Sequence, residues 1–289
     1  MTKIGRKTMG LVLVAIVAVI VFLVIWFPML WAVSTSFKPK AEVYKVPPVW
    51  IPQRPTLEMY RRVWTGRSVG GVTEEGSPWG RYITNSLIVT GATVIFAMIL
   101  ATFAGYGLAR FKFPGRTLIF ILFIASQMFP GPMVMVPIYG IMVKLGLYNT
   151  LAGLIVIYTA SVLPFTTLIS VGGLRNVPLE VEESAMIDGC SRMGVFFRIV
   201  LPLSKIAVIT TGIFAFLMSF GEYAFAVVLI TGSERLTVPL GLARYITAFD
   251  IYWNEISATV ITIAIPLVFV FLAAQKHFTK GIVAGSLKG

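Results

Sequence analysis

Charge is what this 289-residue chain has least of: Asp, Glu, Lys and Arg together make up 12% of it. Soluble domains carry about 25%. With 57% of the residues apolar, one soluble core cannot hide so much apolar surface, so lipid must be the solvent for much of the chain. Cys190 is the single cysteine, which excludes an internal disulfide. His277 is the single histidine. Without a His or Cys cluster, a zinc site or a Cys–His nucleophile is excluded, and no metal is expected. No G-x-x-x-x-G-K-[ST] phosphate loop occurs, so the chain should not bind ATP by that route. Acidic residues are also scarce, and the formal charge is +12. The Lys and Arg residues lie in gaps between apolar runs and not on an interleaved basic face, so nucleic acid is not the expected partner.

What is abundant is apolar run length. A membrane-crossing helix needs about 20 mostly apolar residues. Candidates lie at Met9–Val33, Ile83–Ala109, Leu118–Tyr139, Thr150–Val171, Ile206–Ile230 and Ile256–Ala274. The expected fold class is therefore an all-α multi-pass membrane protein with about six spans. The third span is expected to kink or break, because Pro130, Pro132 and Pro137 remove amide donors. Pro164 and Pro266 mark milder bends. The first run exceeds the 7–15 residues of a signal-peptide core, so it reads as a span and not as a cleaved leader.

The basic amino end (Lys3, Arg6, Lys7) and the short turn Arg110–Arg116 favour an inside position. The gap Ser34–Tyr82 is also basic, so charge alone favours this orientation only modestly. In that gap Thr56 can cap a short helix with Leu57, Tyr60 and Trp64 on one side. Trp50, Trp64, Trp79 and Tyr82 suit a membrane–water boundary. Two readings of this segment stand open: a surface touched by a solute-delivering partner, or interfacial anchoring alone. Gly70, Gly71 and Gly76 suggest a flexible tip.

One polar segment is lodged between two apolar runs: Glu183-Ser184-Ala185-Met186-Ile187-Asp188-Gly189, then nine residues to Ile199-Val200-Leu201-Pro202. Pro178 fits a helix's first turn, Glu180, Glu182 and Glu183 suit its amino end, and Gly189 supplies a turn or a helix end. A second short helix is expected near Met193–Ile199. At 100° per residue Leu179, Glu183, Met186, Ile187 and Cys190 share a face, with Val181, Ser184 and Asp188 away from it. A carboxylate inside an apolar stripe makes sense if the face docks into a cleft offering a cation or amide donors.

This segment resembles the "EAA" loop of ABC-importer permeases, E-A-A-x3-G-x9-I-x-L-P, with Ser184 in place of the first Ala. Further motifs resemble the carbohydrate-uptake branch of that family: Asn85-Ser86-Leu87, Ala104-Gly105-Tyr106, Arg110-Phe111-x-Phe113-Pro114-Gly115, Gln127-Met128-Phe129-Pro130, Leu145-Gly146-Leu147-Tyr148-Asn149-Thr150, and the tail Gly281-x-x-x-Gly285-Ser286-Leu287-Lys288-Gly289. The likeness is strongest to the second permease subunit of maltose-type importers.

The resemblance implies a type I importer fold with a cytoplasmic EAA coupling loop. Residues 1–82 would form an amino-terminal span plus an extracytoplasmic loop, 83–280 the permease core and 281–289 a cytoplasmic tail. It implies a bacterial or archaeal inner-membrane permease with both termini inside, carrying a sugar or polyol. The implied partners are a second homologous permease, two ATP-binding subunits that hold the ATP and Mg, and an extracytoplasmic binding protein. The chain itself would be no enzyme. Glu183, Ser184, Ala185, Asp188, Gly189, Ile199, Leu201 and Pro202 would couple to the ATPase, with Glu183 meeting a basic residue there. Gly285, Ser286 and Lys288 would reach between the ATPase subunits.

One departure concerns the fifth span, where the family's Trp-Asn-Glu is here Phe220-Gly221-Glu222. An ionisable group inside an apolar run should face a cavity or a partner. Phe220, Gly221, Glu222, Tyr223 and Phe225 thus read as either pathway or subunit interface. A secondary transporter is the alternative function. It should show repeated halves and ion-coupling charges, and this sequence displays neither.

Overall fold

The computed structural model describes residues 3–65, 79–129, 131–265, 267–268 and 272. Gly70, Gly71, Gly76, Pro130, Pro266, His277 and the tail with Gly285, Ser286 and Lys288 lie outside these. Among the described residues the chain is helical, in the order α1 (Lys3–Ser36), α2 (Lys40–Val43), α3 (Glu58–Thr65), α4 (Trp79–Arg110), α5 (Arg116–Met128), α6 (Gly131–Lys144), α7 (Leu151–Arg175), α8 (Leu179–Ile187), α9 (Arg192–Val195), α10 (Leu201–Leu203), α11 (Lys205–Phe220), α12 (Ala224–Leu229) and α13 (Val238–Ala243). A last apolar helix, α14, covers Trp253–Ile265.

Among the described residues three helices are long and apolar enough to cross a membrane: Val12–Ser36 within α1, Trp79–Arg110 and Leu151–Arg175. The number rises to five if each of two bent pairs is one span. This is an all-α multi-pass membrane fold. The expected break in the third run is present: α5 ends at Met128, α6 begins at Gly131, and the two apolar segments meet at 105°. Pro137 sits inside α6 and Pro164 inside α7.

The continuous fifth span expected over Ile206–Ile230 is corrected. Helix α11 stops at Phe220, and α12 starts at Ala224. The physical cause lies in Glu222, whose carboxylate accepts from the backbone N–H groups of Phe225 (2.9 Å) and Ala226 (3.3 Å). Those amides begin a new helix, and a side chain that bonds them is a cap.

The chain forms two compact units. The first combines the chain before Trp79 with Leu242–Val268. In it the most apolar 18-residue stretch of α1 has no buried residue, whereas Thr35 and Ser36 at the helix end are buried. Helix α3 buries Met59 and Val63, while Leu57 and Trp64 stay exposed. The hydroxyl of Thr56 accepts from the amide of Glu58, as a cap should. Lys40 pairs with Asp250, and Tyr44 donates to the same carboxylate at 2.9 Å. These bonds hold the Asp250 carboxyl below the usual carboxylate range.

The second unit contains Trp79–Gly241. Its centre is α4, α7 and α11 packed together. Small and hydroxyl-bearing residues line these contacts, as is common where membrane helices meet. A Cβ on Gly173 would lie 2.0 Å from the Cβ of Ala207, so only glycine lets α7 approach α11 there. Trp79 and Tyr82 are buried and edge-on to each other. Their rings cover Gly241, where a Cβ would come within 2.6 Å of Tyr82.

The family-like motifs hold this unit's turns. Asn85 donates to the carbonyls of Glu234 (2.9 Å) and Leu236 (3.0 Å), and Ser86 accepts from the amide of Val238. Asn149, at φ +54°, accepts from the amides of Thr231 and Gly232. Thr150 caps α7 by accepting from Gly153 at 3.0 Å.

Candidate functional site: the acidic corner after α7

Pro178 sits just before the first residue of α8, where its missing amide costs nothing. Glu180 and Glu182 occupy the first turn, the end that favours negative charge. The helix closes with two bonds, Cys190 N–H to the Ala185 carbonyl (3.0 Å) and Gly189 N–H to the Met186 carbonyl (3.1 Å). This pairing needs a left-handed residue between them. Gly189 provides it at φ +86°. Ser191 then caps the next helix by accepting from Gly194 at 3.2 Å. That helix runs over Arg192–Leu203, with a wide π turn at Phe196–Val200.

The corner is fixed to the unit's core on one side. Ala185 is buried with Tyr106, Leu174, Val177, Val195, Phe196 and Val200, and Met186, Cys190, Ile199 and Leu201 pack against them. An ion pair reinforces the contact. Arg110 Nε donates to Glu182 Oε1 at 2.6 Å, and both side chains are almost fully shielded. The Tyr106 hydroxyl donates to Glu182 Oε2 at 3.3 Å. Arg110 Nη2 donates to the carbonyls of Leu174 (2.9 Å) and Val177 (2.6 Å). The guanidinium therefore satisfies a carbonyl at the end of α7 and clasps the first turn of α8 together. A buried charge needs such partners.

The other side faces out. Leu179 and Ile187 are exposed, Ile187 at 86%, with exposed Glu183 between them on the wheel. The expected stripe thus divides: Met186 and Cys190 face the core, whereas Leu179, Glu183 and Ile187 do not. Ser184 is exposed, and its hydroxyl bonds the Glu180 carbonyl. Asp188 and Pro202 are exposed as well. Reasoning from sequence missed Arg110, Glu182 and Tyr106 as a group. Arg110 read as a charge in a turn and as the start of a family-like motif, with no partner assigned to it. The available signal was one cation ending an apolar run and one extra Glu beside Glu183.

Phe220, Gly221, Glu222, Tyr223 and Phe225 lie elsewhere in the same unit, at the break between α11 and α12. Tyr158 donates to the Glu222 carbonyl at 3.3 Å. Glu222 is half-buried, and Tyr223 is 42% exposed. Among the described residues no group of three or more His, Cys, Asp or Glu is placed to hold a metal ion.

The profile of the family described as "binding-protein-dependent transport system inner membrane component" matches residues 93–283. The diacetylchitobiose uptake permease DasC of Streptomyces coelicolor is 34% identical, covering 98% of this chain and 99% of its own. The sulfoquinovosyl glycerol permease SmoH of Agrobacterium fabrum is 33% identical over 91% of this chain and 89% of its own. The trehalose/maltose permease MalG of Thermococcus litoralis is 31% identical over 96% and 97%. In fold, the chain superposes with a TM-score of 0.78 on a bacterial ABC transporter that imports the acidic polysaccharide alginate, at 19% identity and covering 96% of this chain and 99% of that one. The chain belongs to the binding-protein-dependent transport system inner membrane components, and it is the permease of an ABC importer and not the importer's ATPase.

Proposed function

We propose that this chain is one permease of an importer for a sugar or polyol, equivalent to the second permease subunit of maltose-type systems. The sugar-derived solutes named for DasC, SmoH and MalG support that substrate class. In this reading it pairs with a second, homologous permease. Two ATP-binding subunits and an extracytoplasmic binding protein complete the assembly. About six spans cross the inner membrane with both termini inside. Residues 1–82 form an amino-terminal span plus an extracytoplasmic loop, 83–280 the permease core and 281–289 the cytoplasmic tail.

The coupling element is α8. The observation that carries this is its two-sidedness: Ala185 and the Arg110–Glu182 pair fix one side, while Leu179, Glu183 and Ile187 are left exposed. An exposed apolar patch around a carboxylate suits docking against a cleft with a cation. ATPase closure then pulls α8, and the buried pair transmits the pull to α4 and α7. Ser184, Asp188, Gly189 and Pro202 shape the surface that docks, and Ile199 and Leu201 support it from the core. Gly285, Ser286 and Lys288 would add a second contact to the ATPase.

Two experiments test the reading. Proteoliposomes holding the whole assembly should take up a disaccharide, an oligosaccharide or a polyol only with ATP and the binding protein present. Uptake restricted to amino acids or inorganic ions would remove the substrate class. With Cys190 replaced, Gly71→Cys should label from outside and Ser286→Cys only from inside. Labelling of Ser286→Cys from outside would overturn the topology.

A further inference from the structure

The helix Arg192–Leu203 contains the wide turn Phe196–Val200. In it the Leu201 amide donates to the Phe196 carbonyl, five residues back, where an α-helix would reach four. Pro202 follows and supplies the reason. A proline ring inside a helix collides with the carbonyl four residues before it, here that of Arg198. One extra residue in the turn moves that carbonyl aside. Whatever follows such a turn is rotated by about 100° and displaced by about 1.5 Å from where an α-helix would put it. The turn also touches the clamp. Phe196 is 1% exposed and Val200 0%. The Phe196 ring centroid lies 4.7 Å from that of Tyr106 and 5.1 Å from that of Phe103. Tyr106 is the residue whose hydroxyl holds Glu182. Past the turn, Ser204 bonds the Val200 carbonyl with its amide (2.9 Å) and its hydroxyl (2.7 Å), and the chain bends by 75° into α11. The wide turn therefore stands between the fixed side of α8 and the start of α11.

We propose that Pro202 is a positioning residue for coupling: it keeps the turn wide, and the wide turn fixes the direction in which α11 leaves the Phe196–Tyr106 contact. A pull on α8 then reaches α11 through Tyr106, Phe196 and the Val200–Ser204 bonds. The inference rests on the reading of α8 as the coupling element and goes beyond the place of Pro202 on the docking surface. Restoring an amide at position 202 lets it donate to the Arg198 carbonyl, so the turn closes. Phe196 and α11 then cannot both keep their present places. Phe197 is the residue the turn can spare: it is 50% exposed and meets Phe103 and Phe196 edge-on. Deleting Phe197 together with Pro202→Ala leaves an ordinary α-helix whose two ends keep their present phase, because the extra residue and the proline that required it are both gone.

The test uses the whole assembly in proteoliposomes and the binding protein as purified with its bound solute. It reads the ratio of ATP hydrolysis with the binding protein to hydrolysis without it. Wild type is compared with Pro202→Ala, with Pro202→Ala lacking Phe197, and with Glu183→Ala. Pro202→Ala should lower the ratio by about tenfold, the size of an ordinary coupling between sites. The double variant should recover most of it, although it has no proline. If Pro202→Ala does not assemble, the double variant decides alone: a ratio near wild type supports the proposal, and a ratio lowered by about tenfold overturns it. A wild-type ratio in Pro202→Ala overturns the proposal. So does a double variant as impaired as Pro202→Ala, the result expected if the proline ring serves only as a docking contact. Glu183→Ala separates the two readings. A wild-type ratio there removes the α8 reading, and this inference with it. A lowered ratio in Glu183→Ala beside an unrecovered double variant removes this inference alone.

Discussion

Glu182 and Glu222 belong to the same unit, and both begin short helices next to apolar runs, but they are satisfied differently. Glu182 is shielded and held by a guanidinium and a tyrosine. Glu222 is half-buried and held by two backbone amides of its own neighbourhood. The first carboxylate ties together segments far apart in sequence, since Arg110 also reaches Leu174 and Val177. The second caps the four residues that follow it, and its one distant tie is the Tyr158 hydroxyl on α7, which bonds the Glu222 carbonyl, so it breaks a run while joining far less than the first. A charge inside an apolar sequence can thus act as a long-range clamp or as a local punctuation mark. What separates the two is whether an opposite charge ends a neighbouring run.

That difference sets the order of the expected effects. Removing one partner of the clamp should do the most damage. Arg110→Ala leaves the Glu182 carboxylate buried without its cation, and should cost about 3–5 kcal/mol in stability. Thermal unfolding of the purified assembly would measure it. Arg110→Met combined with Glu182→Leu should recover most of the loss, because no charge is then stranded. A single variant as stable as wild type would dissolve the comparison. Gly189→Val comes next, at about 1–3 kcal/mol, because a β-branched residue must then adopt the left-handed backbone. Glu222→Ala should cost about 0.5–2 kcal/mol as a lost cap. Glu222→Gln should cost less, because its amide oxygen can still accept. If Glu222→Gln proves as harmful as Arg110→Ala, then Glu222 is bridging something distant and the contrast with Glu182 fails. Glu183→Ala should shift stability by no more than about 0.5 kcal/mol, since the side chain is exposed.

Much of this was legible in the sequence. Run length gave the long helices α1, α4 and α7, because backbone satisfaction in lipid leaves an apolar stretch few alternatives. Pro130 and its neighbours announced the break between α5 and α6. Pro178, the acidic first turn and Gly189 announced α8 and its end, since each acts through local geometry. The break at Gly221–Tyr223 was not legible. Ile206–Ile230 is apolar enough to read as one span, and composition does not reveal that a side chain will capture the amides of the next turn. The clamp was hidden for a different reason. Arg110 and Glu182 are 72 residues apart, and periodicity speaks only within one helix. The burial of Trp79 and Tyr82 was likewise decided by tertiary packing, after a sequence reading that placed them by residue type alone. The motifs at Asn85 and Asn149 were recognisable as family-like, but their role as turn locks needed coordinates. The rival reading as a secondary transporter gives way to family membership.

We propose that adjacent glutamates divide the labour: Glu182 holds α8 to the core, and Glu183 presents it to the ATPase. Solute-stimulated ATP hydrolysis by the reconstituted assembly carrying Glu183→Ala, measured beside its thermal unfolding, tests this most directly. A charge-assisted contact is worth about 1.5–3 kcal/mol, so stimulation should fall by about tenfold or more while unfolding stays at the wild-type temperature. Full stimulation in a normally folded Glu183→Ala assembly would contradict the claim.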